Sequence, residues 1–160
     1  GNAHPMAALV TTREVATSFN NGMEYFNTFG GNPVSCAAGL AVLDVIEQGD
    51  LRRNASEIGA YLVERFRAMQ ARHESIGDVR GMGLFLGIEL VEDRRTKVPA
   101  TALAKKICDG VRRRGALMGT EGPHDNVLKM RPPMIFTRAD ADLLVALLEE
   151  TFEAVEAGGQ

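Results

Sequence analysis

The sequence predicts an α/β chain that ends in a smaller α+β layer. Three observations carry that expectation. A short apolar run suited to a buried strand is followed by two helical patterns, and beyond them strand-like runs alternate with helical ones. The helical patterns repeat apolar residues at three and four positions, as an element with one buried side does. The strand-like runs are short, β-branched or glycine-punctuated, and bounded by turn residues. There is no internal repeat and no low-complexity segment.

In chain order, residues 6–11 (MAALVT) are the first predicted strand, bounded by Pro5. Thr12 is placed to cap a short helix whose apolar side is Val15, Ala16 and Phe19, and Asn20-Asn21-Gly22 ends it. Asn32 is a good N-cap, and Pro33 stands at the first helical position, where a missing N–H costs nothing. That helix runs to about Gln48, with Gly49 suited to the left-handed residue that closes it. Its small residues (Ser35, Cys36, Ala37, Ala38, Gly39, Ala41) suit close packing on a sheet or a partner subunit.

Asp50 is read as the cap of a second long helix reaching about His73, with Leu51, Ala55, Ile58, Leu62, Phe66 and Met69 on one side. Residues 76–82 and 83–91 are strand-like, and Glu92-Asp93-Arg94-Arg95 reads as a solvated turn. A helix follows from about Ala100 to Arg114, stopped by Gly115. Residues 116–118 and 127–130 are read as short strands around a loop at 119–126, with Pro132-Pro133 ending the second. Thr137-x-x-Asp140 opens the last helix as a capping box, and Leu143, Leu144, Leu147, Leu148, Phe152 and Val155 line it.

Composition excludes several function classes. A formal net charge of −3 supplies no basic field for nucleic acid or an anionic membrane surface. The two cysteines, Cys36 and Cys108, form neither a zinc pattern nor a disulfide framework, so a cytoplasmic setting is expected. The apolar runs fall far short of the ~20 residues of a membrane span. His4, His73 and His124 are scattered, so no metal site is expected.

Three stretches could carry chemistry. In RGMGLFLG the glycines at 81, 83 and 87 are one residue too wide for a dinucleotide fingerprint, and the run leads into a strand rather than a helix; two strands with a glycine-bent junction are expected instead. In NVLKMRPP, Lys129 and Arg131 share one side of a strand. They either hold an anion between them or guard an exposed edge. In YFNTFGGNP, Gly30 and Gly31 free the backbone to turn, and the helix N-terminus that follows could receive a phosphate, with the Thr28 hydroxyl as a further donor. Local physics favours a plain capped helix start and leaves the anion cradle open.

Taken together, the ordered runs GNAHPMA, GMEYFNTFGGNPVSCAAGLAVLDVI, GDVRGMGLFLGIELV and NVLKMRPPM resemble the class III aminotransferases, which are pyridoxal-phosphate enzymes of fold type I. The resemblance runs from Gly1 to about Val155. Within the family the chain looks most like the branch holding the ethanolamine-phosphate phospho-lyases and the type 2 alanine–glyoxylate aminotransferases. It implies the C-terminal part of a fold type I transferase: residues 1–49 as the edge of a large cofactor-binding domain, and 50–160 as a small α+β domain.

The resemblance also implies roles. Thr28, Phe29 and Gly30 would meet the phosphate of pyridoxal 5′-phosphate across a homodimer. Lys129 stands where the family usually has an arginine for the substrate carboxylate, four residues before the second proline, and Arg131 could add a second cation. An arginine grips a carboxylate bidentately, whereas a lysine is a point charge, so the change suits a phosphate-bearing substrate. The family's Schiff-base lysine would fall before Gly1, since Lys97, Lys105, Lys106 and Lys129 do not stand at its position. The 160-residue chain alone is therefore expected to be inactive.

Three functions are compatible with these readings. One is the C-terminal segment of an enzyme moving an amino group from an amine or amino acid to a keto acid. Another is a phospho-lyase acting on O-phosphoethanolamine or a similar phosphorylated amine. The last is a non-catalytic binding or oligomerisation module. For the enzymes the partners are small-molecule amines and keto acids and a second copy of the chain, with neither nucleic acid nor membrane.

Overall fold

The structure, a computed structural model, describes Asn2 and residues 4–158. They divide into two compact units, Gly1–Asp50 and Leu51–Gln160.

The first unit is two helices and a turn-rich connection. The Thr12 hydroxyl accepts from the Val15 N–H at 3.4 Å and starts α1 (Arg13–Phe19). Gly22, at φ +85°, follows the end of that helix. The Asn32 side chain accepts from the Ser35 N–H at 3.0 Å and starts α2 (Pro33–Gln48) with proline in the first turn. The left-handed residue after α2 is Asp50 (φ +48°), not Gly49, which stays right-handed at φ −82°. Residues 6–11 are not a strand: a strand needs a neighbour to satisfy its ladder, and no described segment of this unit pairs with them. No residue of α1 or α2 is buried, and Leu9, Val10, Phe26, Leu40 and Leu43 are all exposed. The small side of α2 allows a close approach within the unit at Gly39. A Cβ at Gly39 would stand 2.7 Å from the Met6 sulfur, so glycine lets Met6 lie against the helix.

The second unit holds the buried core. Helix α3 (Leu51–Gln70) buries Ile58, Gly59, Leu62, Phe66 and Met69, the spacing that its sequence predicts. Strands β1 (Ile76–Met82) and β2 (Phe85–Asp93) form an antiparallel hairpin with Met82 opposite Phe85. Its two-residue turn puts Gly83 first, at φ +54°, where glycine is favoured in tight hairpins. Gly59 packs against this turn, so backbone does approach backbone at the glycine-rich junction.

Asp93 accepts from the Thr96 N–H, and the chain returns as β3 (Val98–Pro99) against the end of β2. Helix α4 (Thr101–Arg113) ends before Gly115, which takes φ +98°. Strand β4 is Gly119–Glu121 rather than residues 116–118: only the later residues come into register with β5 (Val127–Met130). The capping box forms as predicted. The Thr137 hydroxyl accepts from the Asp140 N–H, Asp140 accepts from the Thr137 N–H, and α5 (Arg138–Ala157) follows.

The sheet order is β1-β2-β5-β4, antiparallel throughout, with β3 beside β2. Leu86, Ile88, Leu90, Leu128 and Met130 point to one face, against Phe66, Ile107, Val111, Val145, Leu148 and Phe152 of the helices. Burying a side chain of this size contributes about 1.5–3 kcal/mol. Arg94 closes α3 by donating to the carbonyls of Gln70, His73 and Ile76. Among the described residues no helix is long and apolar enough to cross a membrane, and no group of three metal-ligating side chains comes together.

Candidate functional site

The stretch YFNTFGGNP folds as a side-chain-stabilised turn. The Asn27 carboxamide oxygen accepts from the backbone N–H groups of Phe29 and Gly30, each at 3.1 Å. Gly30 N–H also meets the Asn27 carbonyl at 3.2 Å, and Gly31 takes φ +71° before Asn32 caps α2. The turn thus supplies its own acceptor for two of the three residues expected to meet a phosphate. Thr28 is different: its side chain is exposed, and its hydroxyl has no hydrogen-bond partner among the described residues.

Phe29 and Gly30 line a cleft of about 500 Å³ together with Pro5, Met6, Asn32 and Ser35. His4 Nε2 meets Ser35 Oγ at 2.9 Å and pins the chain's first turn to the start of α2. Thr28 does not line this cleft; its exposed hydroxyl lies four residues before the Asn32 cap of α2 and is chemically able to donate to a phosphate oxygen.

In the second unit, β5 lies between β2 and β4, so Lys129 is on an inner strand and the guarded-edge reading is excluded. Strand β5 stops at Met130, which puts Arg131 just past the ladder rather than on it. Lys129 and Arg131 nevertheless line one cleft of about 490 Å³, whose walls include Arg114, Leu117, Phe136, Leu143 and Leu147. The proline turn beside them is fixed by Asn54 of α3, whose amide donates to the carbonyls of Met134 (2.7 Å) and Phe136 (3.1 Å).

The two cations are not equivalent. Lys129, only 24% exposed, is paired with Glu121 of β4. Arg131 is exposed and has no partner among the described residues. Glu121 falls in what the sequence suggests is a loop. The signal that could have found it is the turn at residues 122–125, closed by a 3.2 Å bond from Asp125 N–H to the Gly122 carbonyl, which makes β4 and β5 a hairpin.

The sheet face opposite the core carries Asp78, Arg80, Glu89 and Lys129 beside the exposed apolar side chains of Met82 and Phe85. Arg80 donates to Asp78 (2.7 Å) and Glu89 (2.6 Å), which raise its pKa further above the usual arginine value, Asp78 most. In register across the sheet stand Arg80, Gly87, Lys129 and Gly119. Glycines therefore leave gaps beside both cations on this face. Arg80 was not singled out from the sequence, because a lone arginine in a strand carries no signal until the register is known.

Comparisons with known proteins identify the family. Residues 1–152 match the family model for class III aminotransferases. An Arabidopsis thaliana protein named alanine–glyoxylate aminotransferase 2 homolog 2 is 50% identical over 93% of this chain, which covers 31% of that protein. A Caenorhabditis elegans ethanolamine-phosphate phospho-lyase homolog is 40% identical over 94% of this chain and 32% of its own length. Among solved structures, a phospholyase from Arthrobacter in complex with phosphoethanolamine superposes with a TM-score of 0.88 at 47% identity, over 95% of this chain and 36% of the other. The chain thus spans about a third of the length of these relatives. Its folded elements are those of a fold type I transferase with an α+β layer, and the chain belongs to the class III aminotransferase family.

Proposed function

We propose that this chain is the C-terminal part of a pyridoxal-phosphate enzyme that acts on small amines, in its general form by transferring an amino group to a keto acid. The observation that carries this reading is the exposed, unpartnered Thr28 hydroxyl in a turn where the Asn27 side chain already accepts from the Phe29 and Gly30 N–H groups. Thr28 would donate to the cofactor phosphate in a homodimer, with Phe29 and Gly30 shaping the approach. The bound cofactor supplies an electron sink for the substrate's α-carbon.

The lysine that carries the cofactor is expected outside this sequence, so the chain alone should not turn over. Two measurements on the full-length protein test the reading. Thr28→Ala should weaken retention of pyridoxal phosphate about tenfold, the scale of one hydrogen bond to a charged group. The 160-residue chain should show no transamination under conditions where the full-length protein does. Unchanged retention, or comparable rates, would count against it.

A second reading has its own support. Lys129, where the family resemblance places a carboxylate-binding arginine, suits a compact dianion rather than a bidentate carboxylate. The Arthrobacter neighbour was solved with phosphoethanolamine. On this reading a phosphorylated amine loses inorganic phosphate, and the remaining carbon skeleton takes up water to leave as an aldehyde and ammonia. Of the two reactions it is the one that Lys129 favours. A binding or oligomerisation module, the third possibility, is supported by the exposed apolar side chains of α2 alone.

A further inference from the structure

Asn54 stands in the first turn of α3 and reaches a carbonyl 80 residues away in sequence. Its amide donates to Met134 at 2.7 Å and to Phe136 at 3.1 Å. Both partners are acceptors, so the amide nitrogen faces them and uses both of its hydrogens there. Among the described residues no other side chain is hydrogen-bonded to residues 131–136. The segment also lies outside the regular elements: β5 ends at Met130 and α5 begins at Arg138. Its own backbone bond runs from the Phe136 N–H to the Pro133 carbonyl, at 2.9 Å. Between the anchored Met134 and Arg131 lie Pro132 and Pro133, whose rings hold φ at about −65° and leave only ψ free to turn.

We infer that Asn54 is a positioning residue for the substrate: by anchoring the proline turn it sets where the Arg131 guanidinium stands, and Arg131 meets the substrate's anionic end. The inference rests on the proposed reading that an amine with an anionic end comes to this end of β5. Arg131 is exposed and has no carboxylate partner among the described residues, so nothing at its own tip holds it. Its place depends on the backbone that carries it. An unpaired arginine already has side-chain freedom to lose when it grips a ligand, and a backbone free to move beneath it would add to that cost. Two stiff prolines pass the anchor at Met134 back to Arg131, three residues away, where a flexible link would lose it. Asn54 touches neither Arg131 nor any reacting atom, and its effect is exerted through the turn alone.

The test uses full-length protein loaded with pyridoxal phosphate. The apparent Kd of O-phosphoethanolamine, and of propylamine, which has no anionic end, is read from the absorbance change of the bound cofactor and needs no turnover. Asn54→Leu keeps the outline of the amide, removes both donors and adds no charge; Asn54→Ala repeats the test with a smaller side chain. Each should weaken O-phosphoethanolamine by about tenfold and leave propylamine within about twofold. In an Arg131→Gln background neither change should weaken O-phosphoethanolamine further, because two residues that act through one contact do not add. A merely structural role would weaken both amines alike, or would add to Arg131→Gln, and either result overturns the inference while the amine chemistry stands. A wild type that binds neither amine would overturn the proposed function, and this role of Asn54 with it.

Discussion

Gly59 of α3 lies against the Gly83 carbonyl of the β1–β2 turn so closely that a Cβ at position 59 would stand 2.1 Å from its oxygen. Helix and hairpin are held in register by the absence of a side chain. Alanine is intrinsically better than glycine in a helix by up to about 1 kcal/mol. Here the opposite sign is expected. Gly59→Ala should destabilise the chain by about 1–3 kcal/mol, because the turn has to move. Denaturant unfolding decides it, and a neutral or stabilised variant would show that the contact is not tight.

Buried stability is expected to reside in the second unit. Leu62 is fully buried, whereas Leu43 of α2 is 61% exposed. Leu62→Ala should cost about 2–5 kcal/mol. Leu43→Ser should change unfolding by less than about 0.5 kcal/mol. A large loss at Leu43 would reveal a core in the first unit that its burial does not show.

His73 is buried against the Phe152 ring, with centroids 5.0 Å apart, and its Nδ1 meets Glu156 at 2.8 Å. Ser75 donates to the other Glu156 oxygen at 3.0 Å. Together they tie the end of α3 and the start of β1 to the last turns of α5. Glu156→Ala strands a buried ring nitrogen and should cost about 1–3 kcal/mol. Ser75→Ala in the same chemical-denaturation series should cost less, since its hydroxyl is exposed.

Three aspartates sit below the usual carboxylate range. The Thr137 hydroxyl, then its N–H, lowers Asp140; the Thr96 N–H, then its hydroxyl, lowers Asp93; and the Arg112 and Arg113 side chains lower Asp109. Each folded pKa therefore lies below its unfolded value. The stabilisation is complete above the unfolded value of about 3.9 and is lost as pH falls through the folded one. Unfolding curves taken from neutral pH into strong acid should show a loss that Asp140→Asn makes shallower. Thr137→Ala removes the cap itself and should cost about 1 kcal/mol at neutral pH. An acid limb identical in wild type and Asp140→Asn would show that the capping box contributes nothing to it.

Much of this was legible in the sequence, and the failures have physical causes. The helix starts at Thr12, Asn32-Pro33 and Thr137 were readable because a cap is a local event: one side chain and a backbone N–H three residues on. The buried side of α3 was readable from its period. Residues 6–11 failed as a strand because apolarity does not supply a ladder partner. Strand β4 was displaced by three residues because register with β5, not propensity, chooses which residues pair. Of the candidate site, Thr28, Lys129 and Arg131 could be named from motifs. Glu121, Gly87 and Arg80 could not, since their meaning lies in cross-strand register.

The most direct test gives the full-length protein O-phosphoethanolamine and pyruvate together and follows inorganic phosphate and pyruvate in one reaction. The expected result is turnover of the amine that depends on pyridoxal phosphate and is lost on changing Lys129→Met, read as pyruvate consumption on the amino-transfer reading and as phosphate release on the second. Strong pyruvate-dependent transamination with no detectable phosphate would contradict the phosphate-elimination reading, and neither reaction would contradict the assignment of amine chemistry itself.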